Sequence, residues 1–428
     1  MSARRPAPFP CELLDHVRVD ALTRGFAVAE DPIPIREVGT KGWTLSDLSP
    51  PILVLNEAAL RHNLALMADF CARADVDLAP HGKTSMAPQL WARQLEAGAW
   101  GITAASAREA RVMRACGVRR ILLANELVDE ASIGWAAGQL LDPLVELLCY
   151  VDSIRGVELL DRGLASAGSL RPLRVLIELG HPGGRTGCRT AEQAIEVVQR
   201  VRGSRRLELA GVAGYEGTLC PDRSPGCLDR VRAYLDELRD LASRLAEDGA
   251  FSGDVVISAG GSRFFDLVAE RLREPWPSDA PVRVVLRSGC YLTHDSGVYE
   301  RTSPFADEDP DRRFHPAMEI WGSVISRPEP ELAILGFGRR DVPFDEGLPV
   351  PTRIRTTSGE TVPVDGRFTV GALNDQHAYA QVGGELSLGV GDLVACGISH
   401  PCSAFDRWRV IPILDERERV VDAVATFF

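Results

Sequence analysis

Hydrophobic and polar positions follow two rhythms along this chain, and the change between them falls near residue 300. In the first part, short apolar runs recur at 76–79, 100–104, 121–124, 147–151, 175–179, 209–213, 255–258 and 282–286. Each is rich in Val, Ile or Leu without polar alternation, as expected for strands buried on both faces. The segments between them have helical spacing. Residues 107–116 place Ala110, Met113 and Ala115 among charged residues, and 228–246 place Val231, Leu235, Leu238, Leu241 and Leu245 three or four apart. Repeated strand–helix units predict an α/β fold with a (β/α)₈ TIM-like barrel; a doubly wound open sheet is the alternative.

An additional apolar run, 51–55, and a helix over 57–74 precede the first barrel strand and read as a lead-in rather than a ninth unit. Residues up to about 48 contain several prolines and no long helix. Beyond Tyr299 the texture changes. Residues 301–314 are charged and proline-containing, as in a linker or surface loop. Short alternating runs follow at 318–325, 332–336, 353–357, 368–373 and 393–398, punctuated by Gly, Pro and Asp. That is the pattern of a mainly antiparallel β domain. The expected division is 1–48, an N-terminal segment packing with the β domain; 49–300, the barrel with its lead-in; and 301–428, the β domain.

Composition narrows the function. The chain has 428 residues, 48 Lys plus Arg against 60 Asp plus Glu, 45% hydrophobic and 25% charged residues. Enough apolar mass is present to offset chain entropy, which excludes disorder as the main state. The net charge of −12 repels phosphate, so no nucleic-acid partner is expected. No uncharged apolar stretch reaches the roughly 18–20 residues of a membrane helix. The start, Met1 to Pro10, has two arginines and no apolar core after them, so a soluble cytoplasmic protein is expected. Ten cysteines show no repeating spacing and no CxxC pair, which reads as buried thiols rather than a disulfide framework or zinc ribbon.

Four groups of residues could carry chemistry. Pro80-His81-Gly82-Lys83-Thr84-Ser85 follows the first barrel strand, which places Lys83 at the mouth where such barrels have their active sites. A lysine there can form a Schiff base with an aldehyde cofactor such as pyridoxal phosphate; a surface lysine in a turn is the alternative. Ser258-Ala259-Gly260-Gly261-Ser262 follows the seventh strand, and Gly289 and Tyr291 follow the eighth, where barrels often bind phosphate. In His400-Pro401-Cys402 an extended backbone would point His400 and Cys402 the same way, toward one metal; a turn with a buried cysteine is the alternative. A softer group comprises Glu178-Leu179-Gly180, Arg185, Tyr215-Glu216-Gly217 and His377 in Asn374-Asp375-Gln376-His377.

The lysine motif Pro80-His81-Gly82-Lys83-Thr84 resembles that of D-threonine aldolases and eukaryotic-type D-serine dehydratases. These are fold-type III pyridoxal-phosphate enzymes with an alanine-racemase-like barrel and a β domain. His400-Pro401-Cys402, with Phe405-Asp406-Arg407-Trp408, resembles the metal-binding tail of the dehydratase branch. The resemblance runs from about Pro51 to Arg409. It implies that Lys83 holds pyridoxal phosphate and acts as a base, that Arg185 faces the pyridine nitrogen, and that Tyr215 lines the cofactor. It implies a phosphate cup of Gly260, Gly261, Ser262, Gly289 and Tyr291, and a zinc ion, or another divalent metal, on His400 and Cys402. His81, Gln376 and His377 are substrate-side candidates.

The expected activity is a zinc-assisted dehydration and deamination of D-β-hydroxy amino acids such as D-serine, giving a 2-oxo acid and ammonia. The alternative within the family is D-threonine aldolase, cleaving to glycine and an aldehyde. As the resemblance implies, a carboxylate is the usual second metal ligand in aldolases and a thiolate in dehydratases, so Cys402 favours dehydration. A non-catalytic pyridoxal-phosphate-binding protein is the alternative of another class, although such chains lack a β domain. The expected partner is a small amino-acid substrate, and the resemblance implies a homodimer.

Overall fold

A computed structural model of the chain describes residues 11–274, 276, 281–364, 366–383 and 386–428; the Met1–Pro10 start lies outside the described residues. The chain divides into two compact units. One comprises Met1–Leu66, Thr84–Arg93 and Cys290–Phe428, and the other Met67–Lys83 and Gln94–Gly289.

The second unit is built on eight parallel strands: Asp77–Leu78, Ile102–Ala104, Arg120–Glu126, Glu146–Val151, Leu173–Leu179, Leu207–Gly214, Val255–Ala259 and Val282–Leu286. Neighbours in sequence pair in the sheet. The eighth strand returns to the first, with Val285 opposite Asp77 and Leu286 opposite Leu78. A parallel bridge between His81 and Thr103 links the first strand to the second, so the sheet closes into a barrel and the open-sheet alternative is excluded. Its interior is packed by Ala79, Leu122, Leu148, Tyr150, Leu176, Ala210, Ala213, Val256 and Val285.

Local chemistry starts the barrel helices. Ser106, Asp129, Ser153 and Thr190 each accept the backbone N–H of the third residue of the following helix, satisfying an otherwise orphaned donor. At Gly211, with φ +154, the sixth strand approaches the seventh so closely that a Cβ would lie 1.8 Å from the Val256 carbonyl oxygen. Only glycine fits there.

The first unit carries the antiparallel architecture. The 12-residue strand Met318–Glu329 pairs with Leu393–Gly397 and with Leu332–Leu335, both antiparallel. Val350–Arg355 and Thr361–Pro363 extend one side, and Ala378–Val382 and Phe368–Leu373 the other. The lead-in strand, Ile52–Asn56, belongs to this unit: it runs antiparallel to Met318–Glu329 and parallel to Val410–Leu414. An apolar run of this kind needs two covered faces, and the sequence does not say which sheet supplies them. The N-terminal segment lies along the last strand, Val420–Ala425, with the Val420 N–H donating to the Trp43 carbonyl and the Leu45 N–H to that of Glu418.

The strands Thr361–Pro363, Ala378–Val382, Val410–Leu414 and Val420–Ala425 were not legible in the hydrophobic pattern. Eight of the ten cysteines are free thiols, seven of them buried, in keeping with the absence of a disulfide framework. Among the described residues, no helix is long and apolar enough to cross a membrane.

Candidate active site

In the barrel unit, Lys83 stands in the turn Gly82–Thr84 immediately after the first strand, half-buried. The chain contains two lysines, and the other, Lys41, belongs to the first unit and pairs with Glu37 at 3.2 Å. Lys83 is therefore the one lysine of the barrel. Beside it, the His81 N–H donates to the Arg287 carbonyl at 3.2 Å, and its ring Nδ1 is buried without a partner. Burial, reinforced by the charges of Lys83, Arg287 and Arg185, holds the His81 pKa well below its ordinary value, so the ring is neutral. Arg287 is itself buried, donating to Ser258 Oγ at 2.7 Å and the Gly214 carbonyl at 2.6 Å, which ties the last three strands together.

Arg185 and Tyr215 lie against one another. The guanidinium carbon lies 4.4 Å from the centre of the Tyr215 ring. Tyr215 is positioned by Tyr234, whose hydroxyl accepts the Tyr215 N–H at 3.0 Å and donates to the Leu179 carbonyl at 2.6 Å. A Cβ at Gly217 would lie 2.4 Å from the Tyr215 ring and one at Gly261 3.1 Å, so both glycines make room for it. In this arrangement the space between Glu178, Gly180, Arg185, Tyr215 and Thr218 is about 10 Å³. A cavity of about 750 Å³ in the other unit, against Arg24, Trp408 and Phe428, contains none of the expected site residues.

The glycine turn differs from expectation in one respect. Glu216, fully buried, accepts the Gly260 N–H at 3.0 Å and the Gly261 N–H at 2.7 Å. Two of the amides assigned to the phosphate cup are thus engaged by a carboxylate, leaving Ser262 and Gly289 outside that contact. Tyr291 belongs to the other unit and is buried against Phe314 at 5.9 Å. In the sequence Glu216 stands out only as part of Tyr215-Glu216-Gly217. Its signal was position: it is the first charged residue after the apolar run that forms the sixth strand. The one barrel lysine, the arginine on the tyrosine face, the turn at Gly260 (φ +99) and the orphaned His81 Nδ1 together suit a pyridoxal-phosphate-type group.

The second constellation lies in the first unit. His400 has φ +69 and precedes the short helix Pro401–Phe405. The segment is therefore not extended, contrary to the sequence reading. Proline at the first helical position starts a turn, and the left-handed step at His400 redirects the chain. His400 Nδ1 pairs with the Asp345 carboxylate and lies 3.0 Å from the Ser403 hydroxyl, while its backbone N–H donates to Asp295 at 3.3 Å. Cys402 Sγ lies 3.6 Å from Cys290 Sγ and 3.4 Å from Thr84 Oγ1.

The charges sort accordingly. Hydrogen bonding to Cys402 is the largest influence raising His400, to about 9, and Asp345 adds to it. Hydrogen bonding with Cys290 leads the influences that hold Cys402 well below an ordinary thiol, while Cys290 is pushed up by the same contact. A thiolate beside an imidazole whose other nitrogen is oriented by a carboxylate is a soft metal donor set, so these residues fit a zinc-like ion. Asp345 and Ser403 do not stand out in the sequence, while Thr84, within the lysine motif, and Cys290, after the eighth strand, carry no assigned role there. Gln376 and His377 occupy an exposed turn between Phe368–Leu373 and Ala378–Val382, hydrogen-bonded within that turn.

A closed parallel barrel with a lysine after its first strand, in a chain with an antiparallel β unit, is an alanine-racemase-like, fold-type III architecture. Residues 55–271 match the family described as "Alanine racemase, N-terminal domain", half of the chain, and the protein belongs to that family. Residues 317–414 match the description "Putative serine dehydratase domain".

D-threonine aldolase of an Arthrobacter species is 27% identical over 346 residues, covering 80% of this chain and 82% of its own. The crystal structure of D-threonine aldolase from Filomicrobium marinum superposes with a TM-score of 0.73 at 24% identity, covering 90% of this chain and 97% of that one. D-threo-3-hydroxyaspartate dehydratase from Delftia sp. HT23 does so with a TM-score of 0.71 at 20% identity, covering 90% and 99%. The two structural likenesses establish the fold.

Proposed function

We propose that this protein is a pyridoxal-phosphate- and metal-dependent lyase of D-β-hydroxy amino acids, acting as a dehydratase and deaminase that releases a 2-oxo acid and ammonia. One observation carries the reading: the barrel holds a single lysine, and it stands at the end of the first strand. When bound, the cofactor supplies an electron sink for the α-carbon and a divalent metal supplies a Lewis acid for the β-oxygen.

The chain's own residues take the remaining roles. Lys83 would hold the cofactor through its amine and take the α-proton. Arg185 brings a permanent positive charge to the barrel mouth, where it disfavours protonation of a neighbouring pyridine nitrogen. Neutral His81 offers an unpaired ring nitrogen next to Lys83. His400, with Nδ1 engaged by Asp345, would bind the metal through Nε2, and Cys402 through its thiolate. Two protein ligands leave positions open for a substrate oxygen, and a soft thiolate selects zinc over magnesium.

A second reading, retro-aldol cleavage to glycine and an aldehyde, is favoured by the Arthrobacter D-threonine aldolase relative. Cys402, the counterpart by resemblance of the dehydratase branch's thiolate, supports ranking dehydration ahead of it. The test is a panel of D- and L-serine, threonine and 3-hydroxyaspartate with 2-oxo acid, ammonia and glycine quantified together. Equal amounts of 2-oxo acid and ammonia, from D-substrates and abolished by a chelator, support dehydration. Glycine in place of ammonia establishes the aldolase. Retained cofactor without any product establishes the non-catalytic binder.

A further inference from the structure

We propose that Glu126, Asp152 and Glu178 form an oxygen-donor site for a hard divalent cation, of the magnesium, calcium or manganese class, at the mouth of the barrel. One carboxylate oxygen from each lies within 4.8 Å of those of the other two. They come from the ends of three adjacent strands, Glu126 and Glu178 within the third and fifth and Asp152 immediately after the fourth. Glu126 stands opposite Tyr150, after an irregularity in the third strand, and Tyr150 stands opposite Leu176. Tyr150 and Leu176 both face the barrel interior. Residues two apart on a strand share a face, so Asp152 and Glu178 point the same way as Tyr150 and Leu176, one layer nearer the mouth.

Donor accounting distinguishes this cluster from a solvated acidic patch. Both oxygens of Glu126 are buried, and neither accepts from an N–H or hydroxyl donor. Glu178 is 5% exposed, with Oε2 unpartnered. Asp152 accepts the Gly187 N–H at 3.1 Å. An independent observation points to a ligand: the Tyr150 hydroxyl, on the same interior face and 2% exposed, also lacks a partner. The two arginines of the mouth do not compensate. Arg287 is committed to Ser258 and Gly214, and Arg185 lies over Tyr215. Among the described residues no ion pair reaches Glu126, Asp152 or Glu178.

Buried carboxylates without donors must take up a proton or a cation. A shared proton serves one contact, between Glu126 and Glu178. A small cation serves carboxylate oxygens converging from three strands and the unpartnered Tyr150 oxygen, which is the ligand chemistry of hard divalent ions. This donor set is all oxygen, unlike the soft His400–Cys402 pair, so the two sites would select different metals.

The experiment uses the full chain with pyridoxal phosphate added. His400→Ala and Cys402→Ala silence the soft site, and a chelator removes metal. Mn²⁺ alone is then titrated, with free Mn²⁺ read by electron paramagnetic resonance. One Mn²⁺ per chain, bound at least tenfold more weakly after Glu126→Gln or Glu178→Gln, is the expected result. Circular dichroism verifies folding, and Asp152→Asn replaces any glutamine variant that does not fold. No Mn²⁺ uptake by the silenced protein, or uptake indifferent to these substitutions, overturns the proposal and leaves a proton-sharing carboxyl cluster. Because the readout is bound metal rather than turnover, its failure is distinguishable from failure of the lyase reading.

Discussion

Cys402 Sγ stands 3.6 Å from Cys290 Sγ, and the two thiols are driven in opposite directions: Cys402 toward the thiolate, Cys290 toward the protonated form. The thiolate is the nucleophile in alkylation. Iodoacetamide near neutral pH is therefore expected to modify Cys402 before Cys71 and Cys188, which burial pushes up to about 12, and before buried Cys149 and Cys396, pushed higher still. Cys290→Ala should slow that modification on the order of tenfold by removing the contact that leads the lowering. Added Zn²⁺ should protect Cys402. Peptide mapping by mass spectrometry checks all three, and labelling spread evenly over the cysteines would contradict the assignment.

Lys83→Ala is expected to abolish the visible absorbance of covalently held cofactor, because no other amine side chain exists in the barrel. Lys41→Ala, the control, should leave the spectrum unchanged. A Lys83→Ala protein with a wild-type spectrum would remove the basis of the lyase reading.

Glu216 holds the glycine turn through two charge-assisted hydrogen bonds from backbone amides. Glu216→Ala leaves two buried donors without an acceptor, and the expected loss of stability is roughly 2–4 kcal/mol. Glu216→Gln keeps one acceptor and should cost less. Urea unfolding of both variants measures the order, and cofactor retention by equilibrium dialysis shows whether the turn also serves the ligand.

Stability should depend on pH through Glu126. Burial, then the neighbouring Glu178, push its carboxyl up to about 8 from an ordinary 4.5. Between those values the folded metal-free protein carries a proton that the unfolded chain has lost. Stability from this group therefore falls as pH rises through the window and levels off above about 8. Glu126→Gln removes that dependence, so the variant should gain on the wild type as pH rises. Urea unfolding in chelator, from about pH 5 to about pH 9, tests the slope.

How far the chain could be read depended on the range of the interaction. All eight barrel strands lie where the apolar runs predicted them, and the helix Glu57–Ala74 has the predicted bounds. The same pattern found the apolar run at 51–55 but grouped it with the barrel, because nothing in the run indicates that Ile52–Asn56 pairs with Met318–Glu329. Short β strands such as Thr361–Pro363 and Ala378–Val382 were missed because a few alternating residues resemble a loop. Lys83 and the His400–Cys402 motif were recognisable because each is a contiguous string. Glu216 was visible but had no assignable role.

Hydrophobic periodicity and contiguous motifs are local properties, written within one turn or one strand, and they determined the eight strand–helix units and the lysine that follows the first, while closure of those strands into a barrel was decided by pairing of the eighth with the first. Other features depended on residues far apart in sequence meeting at a set register. Closing the sheet turned Glu126, Asp152 and Glu178 toward one another, and folding of the β unit placed Cys290 beside Cys402. The left-handed step at His400 likewise replaced the extended segment that residue types alone suggested. Spacing along a chain carries no information about which distant side chains will share a buried space; that is decided when strand pairing and packing exclude water from one particular set of them.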